Sequence, residues 1–318
     1  MRVTYSTATA WKPTAIALGN FDGVHRGHRT VIQPIVGLPR AGNSGRARDE
    51  TETIRATVVT FDPHPREFFT GKNKQLLTPL DEKVQQLEHL GVEQLVLLPF
   101  DRELAALSPQ QFVETILVEQ LRATHISVGE DFRFGYKRSG TAADLHAIAR
   151  EFGIKVAIAT LSNSNGERIS SSLIRQALQD GKIQQVERLL GRAYTLTGSV
   201  ATGQKLGRTL GFPTANLKLP ENKFLPRHGV YSVSAILESG QHVPGVMNIG
   251  SRPTVDANPL PTLEVHLLDW SGDLYRQTLT VKLKKFLRPE QKFASLDALK
   301  AQIAADCDEV RKTNDGYG

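Results

Sequence analysis

The hydrophobic period of this chain changes midway, and that change limits what it can fold into. In the first half, five strand-length apolar runs stand apart: Thr14 to Leu18, Thr57 to Phe61, Gln94 to Phe100, His125 to Val128 and Ile154 to Thr160. Segments of helical period separate them at Asp81 to Leu90, Pro109 to Leu121 and Ala142 to Phe152. Ser108 before Pro109 reads as an N-cap with proline in the first turn. Such runs suit strands covered on both faces, so this half is expected to form a parallel sheet with helices on both sides. Sheets of that kind bind ligands at the carboxyl ends of their strands. Arg40 to Arg55, rich in Gly, Asn, Ser, Arg and Glu, interrupts the pattern and reads as an exposed loop with little apolar surface to bury.

Helical stretches at Ser171 to Gln179 and Ile183 to Leu190 precede the second pattern. From Tyr194 onward come strand signals punctuated by Gly and Pro, with the clearest alternation in Tyr231 to Leu237. Further runs are Val243 to Ile249, Leu263 to Leu268 and Leu279 to Leu283. Strands without intervening helices imply an antiparallel barrel, and Ser295 to Arg311 reads as a closing helix. The chain of 318 residues therefore divides into an expected α/β domain over 1–186 and a barrel domain over 187–318, with the boundary near Glu187.

Composition excludes several classes. The one cysteine, Cys307, leaves no disulfide framework or cysteine-based metal site. No apolar run approaches the ~20 residues of a membrane span, and Met1 to Pro13 lacks the pattern of a secretion signal. A cytoplasmic protein with no membrane partner is expected, and self-association into a homo-oligomer stays open. The net charge of +6 raises nucleic acid as a partner, but the basic residues are scattered and not interleaved with aromatics. A polyanionic small substrate such as ATP suits the same charge, as does a merely solvated surface. No nucleic-acid partner is expected.

Directly after the first strand stands Gly19-Asn20-Phe21-Asp22-Gly23-Val24-His25-Arg26-Gly27-His28. A glycine-rich turn opening a helix lets backbone amides and the helix's positive end meet phosphate oxygens. His25 and His28, three apart, share one side of that helix and can both donate to one phosphate group as charge grows on it. They could equally cap the helix or bind a metal, although no third ligand follows at short range. Phe61-Asp62-Pro63-His64-Pro65 ends the second strand, and Val128-Gly129-Glu130-Asp131-Phe132-Arg133-Phe134-Gly135 the fourth. After the fifth comes Arg168-Ile169-Ser170-Ser171-Ser172-Leu173-Ile174-Arg175, which puts hydroxyls at a helix start between two arginines. That arrangement is either a triphosphate clamp or an ordinary cap.

In the barrel half, Gly203-Gln204-Lys205-Leu206-Gly207-Arg208 leads to Gly211-Phe212-Pro213-Thr214-Ala215-Asn216. The chain has no P-loop. The glycines can form a flap over phosphates, and the oxygens of Thr214 and Asn216 face one side of a strand, where they suit Mg²⁺. Alternatively the segment is a glycine-rich hairpin. Leu263 to Asp269 puts Glu264, His266 and Leu268 on one strand face and Leu263, Val265 and Leu267 on the other. Glu264 is thus either an outward surface residue or an inward base in a lined pocket.

These motifs together resemble the bacterial bifunctional riboflavin kinase/FAD synthetases. The likeness to their adenylyltransferase half covers Thr14 to about Leu178, including the H-x-G-H turn and the I-S-S-T-x-x-R helix start. Ser172 replaces the usual Thr, and the Arg40 to Arg55 loop is longer than usual. From about Gly191 to Arg311 the chain is similar to riboflavin kinase domains, through G-F-P-T-A-N, H-G-V-Y, N-I-G-x-R-P-T and E-x-H-L-L-D-x-x-G-D-L-Y. Arg276 stands where many members have glycine.

The resemblance implies two MgATP-dependent reactions, riboflavin to FMN and FMN to FAD with release of pyrophosphate. It implies ATP contacts by Gly19, Asn20, Phe21, His25, His28, Arg168, Ser170, Ser171 and Arg175, and flavin-side contacts by Asp62, Asp131, Arg133 and Phe134. In the barrel it implies ATP contacts by Gly203, Lys205 and Gly207, Mg²⁺ ligation by Thr214 and Asn216, and Glu264 as the base. Riboflavin, FMN and ATP are the small-molecule partners that follow.

Overall fold

The structure is a computed structural model that describes residues 1–38, 53–160, 163–164, 167–201, 210–251 and 261–314. The chain divides into two compact units, Met1–Ser171 and Ser172–Gly318.

In the first unit β1 (Arg2–Thr4), β2 (Thr14–Leu18), β3 (Arg55–Asp62), β4 (Gln94–Pro99), β5 (Ala123–Gly129) and β8 (Lys155–Ala159) form one sheet. Their order is β1-β4-β3-β2-β5-β8 and all pairs are parallel. Strand parity splits the core into two layers. Ile16, Leu18, Val59, Val96, Ile126 and Val128 face one way and Ala15, Ala17, Val58, Leu95 and Leu97 the other. On the second face lie α1 (Arg26–Ile32) and α3 (Leu80–His89), which bury Val31, Ile32 and Leu87 there; the short α2 (Pro65–Thr70) follows β3. After the short α4 (Arg102–Ala106) and α5 (Pro109–Gln111), the segment Phe112–Gln120 and α6 (Ala142–Glu151) cover the first face. Each fully buried aliphatic side chain contributes about 1.5–3 kcal/mol, so a sheet apolar on both faces is stable only with both faces covered.

Ser108 caps α5 as expected, accepting from the Gln111 amide at 3.2 Å. The expected helix from Pro109 to Leu121 is present, but Phe112–Gln120 winds in wider π-type turns, with the Leu121 amide on the Ile116 carbonyl at 3.1 Å. The strand order reverses its direction of growth at β2, where β3 lies on one side and β5 on the other. A crevice therefore opens between the carboxyl ends of β2 and β5. The hairpin β6 (Arg133–Phe134) and β7 (Gly140–Thr141) follows β5, and a second hairpin, β9 (Asn163–Ser164) and β10 (Glu167–Arg168), follows β8.

The second unit contains a closed antiparallel barrel. Its strands are β11 (Thr195–Ala201), β12 (Ala215–Lys218), β13 (Gly229–Ile236), β14 (His242–Ser251), β15 (Pro261–Leu267) and β16 (Thr278–Arg288), in the order β11-β12-β15-β14-β13-β16. Tyr231, Val233, Met247, Ile249, Val265, Val281 and Leu283 are buried on the alternate positions that face inward. The last helix, α9 (Leu296–Asn314), sets Cys307 and Val310 against Val230, Val246 and Leu268 outside the barrel. Arg288 holds it there through a bidentate bond to Asp306, Nη2 to Oδ2 at 2.8 Å and Nε to Oδ1 at 3.0 Å.

The break between units comes at the start of α7 (Ser171–Gln179), earlier than the change in period near Glu187. Within the second unit α7 and α8 (Ile183–Leu190) belong with the barrel: the Arg227 amide donates to the Leu178 carbonyl at 3.0 Å, and Gly181 is pressed against the Phe286 ring. The loop read at Arg40 to Arg55 lies outside the described residues up to position 52, and Arg55 begins β3.

Candidate active sites

The turn after β2 sits at the mouth of the crevice. His25 is the N-cap of α1, its Nδ1 accepting from the His28 amide at 3.2 Å. That bond leaves the neutral ring's proton on Nε2. The two imidazoles stack with centroids 3.6 Å apart and planes 14° from parallel. Gly27 allows this: a Cβ there would meet the His25 ring at 3.3 Å and the Ile169 carbonyl at 3.6 Å. The Arg168–Ser171 segment thus passes directly beside the histidines.

The turn itself is strained. Phe21, Gly23 and Val24 have φ of 49°, 91° and 40°. For the two non-glycine residues such angles cost on the order of 1–3 kcal/mol each and persist only where the surroundings enforce them. Burial of Phe21 and Val24 is part of that enforcement. Hydrogen bonds supply the rest. Asp22 Oδ1 accepts from the amides of Leu77 at 2.8 Å and Thr78 at 3.3 Å, and Thr78 Oγ1 accepts from the Gly23 amide at 2.9 Å. Lys83 Nζ donates to the Asn20 carbonyl at 3.0 Å. Gly19 leaves room for the Phe21 ring, which a Cβ would approach to 3.2 Å.

The other residues singled out in the sequence fall in several places. Ser171 Oγ donates to the Asp22 carbonyl at 2.8 Å, so its one proton is committed to the turn. Ser170 precedes it at the helix start, while Arg175 belongs to the second unit, its guanidinium 5.6 Å over the Phe224 ring. Asp131 and Arg168 are hydrogen-bonded to each other, both about half exposed, so that pair contributes little to stability. Asp62 is exposed at the end of β3 and Arg133 on β6. Phe134 is a core residue, buried against Phe112, with Phe132 stacked on it at 5.7 Å. Phe132 is the more accessible of the two rings.

Sequence reasoning missed a layer of charge beneath the turn. Lys83 is buried and its pKa lies below the ordinary lysine value, because burial penalises the ammonium and Lys74 repels it, while Asp22 and Asp62 act the other way. His64 caps α2, its Nδ1 accepting from the Arg66 amide at 3.0 Å. Burial, then Lys74, lowers its pKa to about 4. The F-D-P-H-P motif pointed at His64, but nothing in the spacing pointed at Lys74 or Lys83.

In the barrel, register decides the geometry. Asn216 on β12 is paired with Glu264 on β15, which is paired with Asn248 on β14. These three polar side chains form a row across adjacent strands, at Cβ separations of about 5 Å. Leu263, Val265 and Leu267 point into the barrel and are buried, so Glu264 stands on the outer wall, partly exposed. Of the two alternatives for Glu264, the outward orientation is the one present, yet it lies among amide groups. Its neighbour His266 bonds the Pro213 carbonyl through Nδ1 at 2.8 Å and meets the Phe212 ring edge-on. Thr214 lines a cavity of about 520 Å³ with Val200, Ala215, Val265, Trp270 and Tyr275. Gly203, Lys205 and Gly207 lie outside the described residues. Arg276, in place of the family's glycine, adopts φ 66°, the left-handed conformation glycine takes freely.

The first unit thus has paired histidines at a helix start beside a switch point, and the barrel has a carboxylate flanked by two amides; the matching families are those of a two-site transferase of phosphorus-containing groups. The FAD synthetase family profile matches residues 7–173 and the riboflavin kinase profile residues 190–314. The bifunctional riboflavin kinase/FMN adenylyltransferase of Escherichia coli K12 is 44% identical over 92% of this chain and 90% of its own. That of Pseudomonas fluorescens is 42% identical over 92% and 91%, and that of Haemophilus influenzae 39% over 93% and 93%. A solved structure described as a macrolide-efflux protein from Streptococcus pneumoniae has the same fold, with a TM-score of 0.83, 30% identity and coverage of 97% of this chain and 98% of that one. The chain belongs to the bifunctional riboflavin kinase/FMN adenylyltransferase family. Among the described residues no helix is long and apolar enough to cross a membrane.

Proposed function

We propose that this chain makes FMN from riboflavin on the outer wall of the barrel and FAD from FMN in the switch-point crevice, using ATP in both. Family membership over nine-tenths of the chain supports the two reactions. The observation that carries the assignment of sites is the His25–His28 stack at the carboxyl end of β2.

In the crevice a phosphate oxygen of FMN attacks the α-phosphorus of ATP, a new P–O bond forms, and pyrophosphate leaves. No side chain needs to become covalently bonded, so the protein contributes alignment and charge stabilisation. His25 and His28 donate to the phosphates together with the Phe21 amide of the turn. The α7 start supplies further donors at Ser170 and Ser171, the latter through its backbone, and the sequence pattern assigns Arg168 and Arg175 to the same triphosphate. For the flavin, Asp62, Asp131 and Arg133 provide polar contacts. Phe132 offers a ring face, backed by Phe134.

In the barrel Glu264 takes the proton of the riboflavin 5′-hydroxyl as its oxygen attacks the γ-phosphorus, and ADP leaves. The Asn216–Glu264 pairing and the Thr214 position give an all-oxygen set, which fits Mg²⁺. Mg²⁺ bound there supplies charge neutralisation for the transferred phosphoryl group. Thr214 joins this set to the cavity bordered by Trp270 and Tyr275, which takes the planar base of the nucleotide. The sequence pattern assigns Gly203, Lys205 and Gly207, which lie outside the described residues, to its phosphates. The enzyme acts in the cytoplasm, as a carrier of flavin nucleotides only as products. Incubation with riboflavin and MgATP, followed by chromatography, should yield FMN and then FAD; absence of both would refute the reading.

A further inference from the structure

The Leu77–Lys83 segment is not among the phosphate-binding motifs, yet it holds most of the strained turn in place. Two of its backbone amides and one hydroxyl secure Asp22 and Gly23. Its last residue, Lys83, sends a buried ammonium to the Asn20 carbonyl at 3.0 Å, with Thr60 Oγ1 at 3.5 Å from the same oxygen. An apolar side chain of equal length would fill that space without the cost of burying a charge. The carbonyl it holds and the carboxylates of Asp22 and Asp62 offset that cost. In a planar trans peptide the carbonyl and the following N–H point in opposite directions. Fixing the Asn20 oxygen thus also fixes the direction of the Phe21 amide, at the residue where φ turns positive.

We propose that Lys83 is a positioning residue of the adenylyl-transfer site, which sets the Asn20–Phe21 peptide so that the Phe21 amide is presented to the nucleotide phosphates. The inference rests on the reading of Gly19 to His28 as the nucleotide site. Asp22, Lys74 and Asp62 are the charged groups that face Lys83. Its pKa lies below that of a free lysine, because burial and then Lys74 outweigh the two carboxylates.

The test uses the full chain, with FAD formation and riboflavin phosphorylation measured separately. Lys83→Met is expected to lower kcat for FAD formation about a hundredfold, the low end of what loss of one oriented donor costs. KM for FMN should stay within about twofold, since uniform binding is not what is lost. Riboflavin phosphorylation should be unchanged, which also reports an intact chain. Lys83→Arg keeps the charge at all accessible pH. It should restore most of the rate and move the alkaline fall in FAD formation to higher pH. A Lys83→Met enzyme that makes FAD at the parent rate overturns the proposal, as does an Arg variant no better than Met. If Lys83→Met fails to fold, the Arg variant decides: an alkaline limb that does not move refutes the assignment. His28→Ala in parallel separates the two levels. Loss of FAD formation there beside a normal Lys83→Met sinks Lys83 alone, whereas a normal His28→Ala sinks the site and Lys83's part with it.

Discussion

A kinase fragment of this chain should need α7 and α8, although neither carries a kinase motif. A cut at Glu187, where the sequence period changes, passes through α8 and discards Ile174, Leu178, Ile183 and Val186, each at most 1% exposed. At about 2 kcal/mol per buried aliphatic side chain the loss is roughly 8 kcal/mol, an upper figure because unfolded chains already bury some of that surface. The whole stability of a domain is about 5–15 kcal/mol. The same cut removes the Leu178 carbonyl from the Arg227 amide and uncovers the Phe286 ring at Gly181. A fragment of residues 172–318 is therefore expected to melt cooperatively and to convert riboflavin into FMN without making FAD. The 187–318 fragment should melt far lower or aggregate. Thermal denaturation followed by circular dichroism, with a chromatographic FMN assay below the melting range, compares the two. If 187–318 melts within a few degrees of 172–318 and phosphorylates as fast, the assignment of these helices to the barrel core is refuted.

Four further outcomes follow, three from the sites and one from the α2 cap. His28→Ala should slow FAD formation by about two orders of magnitude and leave FMN formation intact; equal rates of FAD formation would remove His28 from the mechanism. Glu264→Gln, which keeps the strand's shape, should cost roughly two to four orders of magnitude in FMN formation with little change in ATP binding, and Asn216→Ala should raise the Mg²⁺ concentration needed for that step alone. His64 should make stability fall on acidification. Its pKa is about 4 in the fold against an ordinary 6.5, so between those values only the unfolded chain takes up the proton, and stability is lost as pH drops through that window. His64→Asn keeps an acceptor at the cap and should flatten the dependence of melting temperature on pH between 6.5 and 4; an unchanged slope would show that His64 is not its source.

Much of the architecture was legible because burial writes itself into period. Runs that are apolar at every position announced a two-faced sheet, and β2 begins and ends where its run does, at Thr14 and Leu18. The alternation in Tyr231 to Leu237 announced a barrel wall, with Tyr231, Val233 and Ala235 inward. Edge and hairpin strands were not legible: β1 is three residues long, and β6, β7, β9 and β10 two each, too short for any period to register. The compact units divide at Ser171/Ser172, before the change of period near Glu187, for a related reason. Helical period shows that α7 and α8 are amphipathic, but not which core covers their apolar faces.

The sites divide along the same line. His25, His28, Asn216 and Glu264 stand in motifs whose residue types suggest chemistry, and register then brings Asn216 beside Glu264 across two strands. Parity put Glu264 opposite Leu263, Val265 and Leu267 and left outward and inward both open; burial of those three sets it on the outside of the barrel, where a lone carboxylate would ordinarily be solvated surface. What distinguishes it is the pair of amides flanking it from β12 and β14, and that is information about strand order, which no local pattern contains. Lys83 is hidden more deeply. On α3 it looks like one more lysine in an amphipathic helix, and only the packing of that helix under the β2 turn shows that its charge has nowhere to go but the Asn20 carbonyl and the carboxylates around it. Residues that act through backbone, as Lys83 does, leave no motif of their own, so they are found by asking what holds a strained turn rather than by asking what touches a substrate.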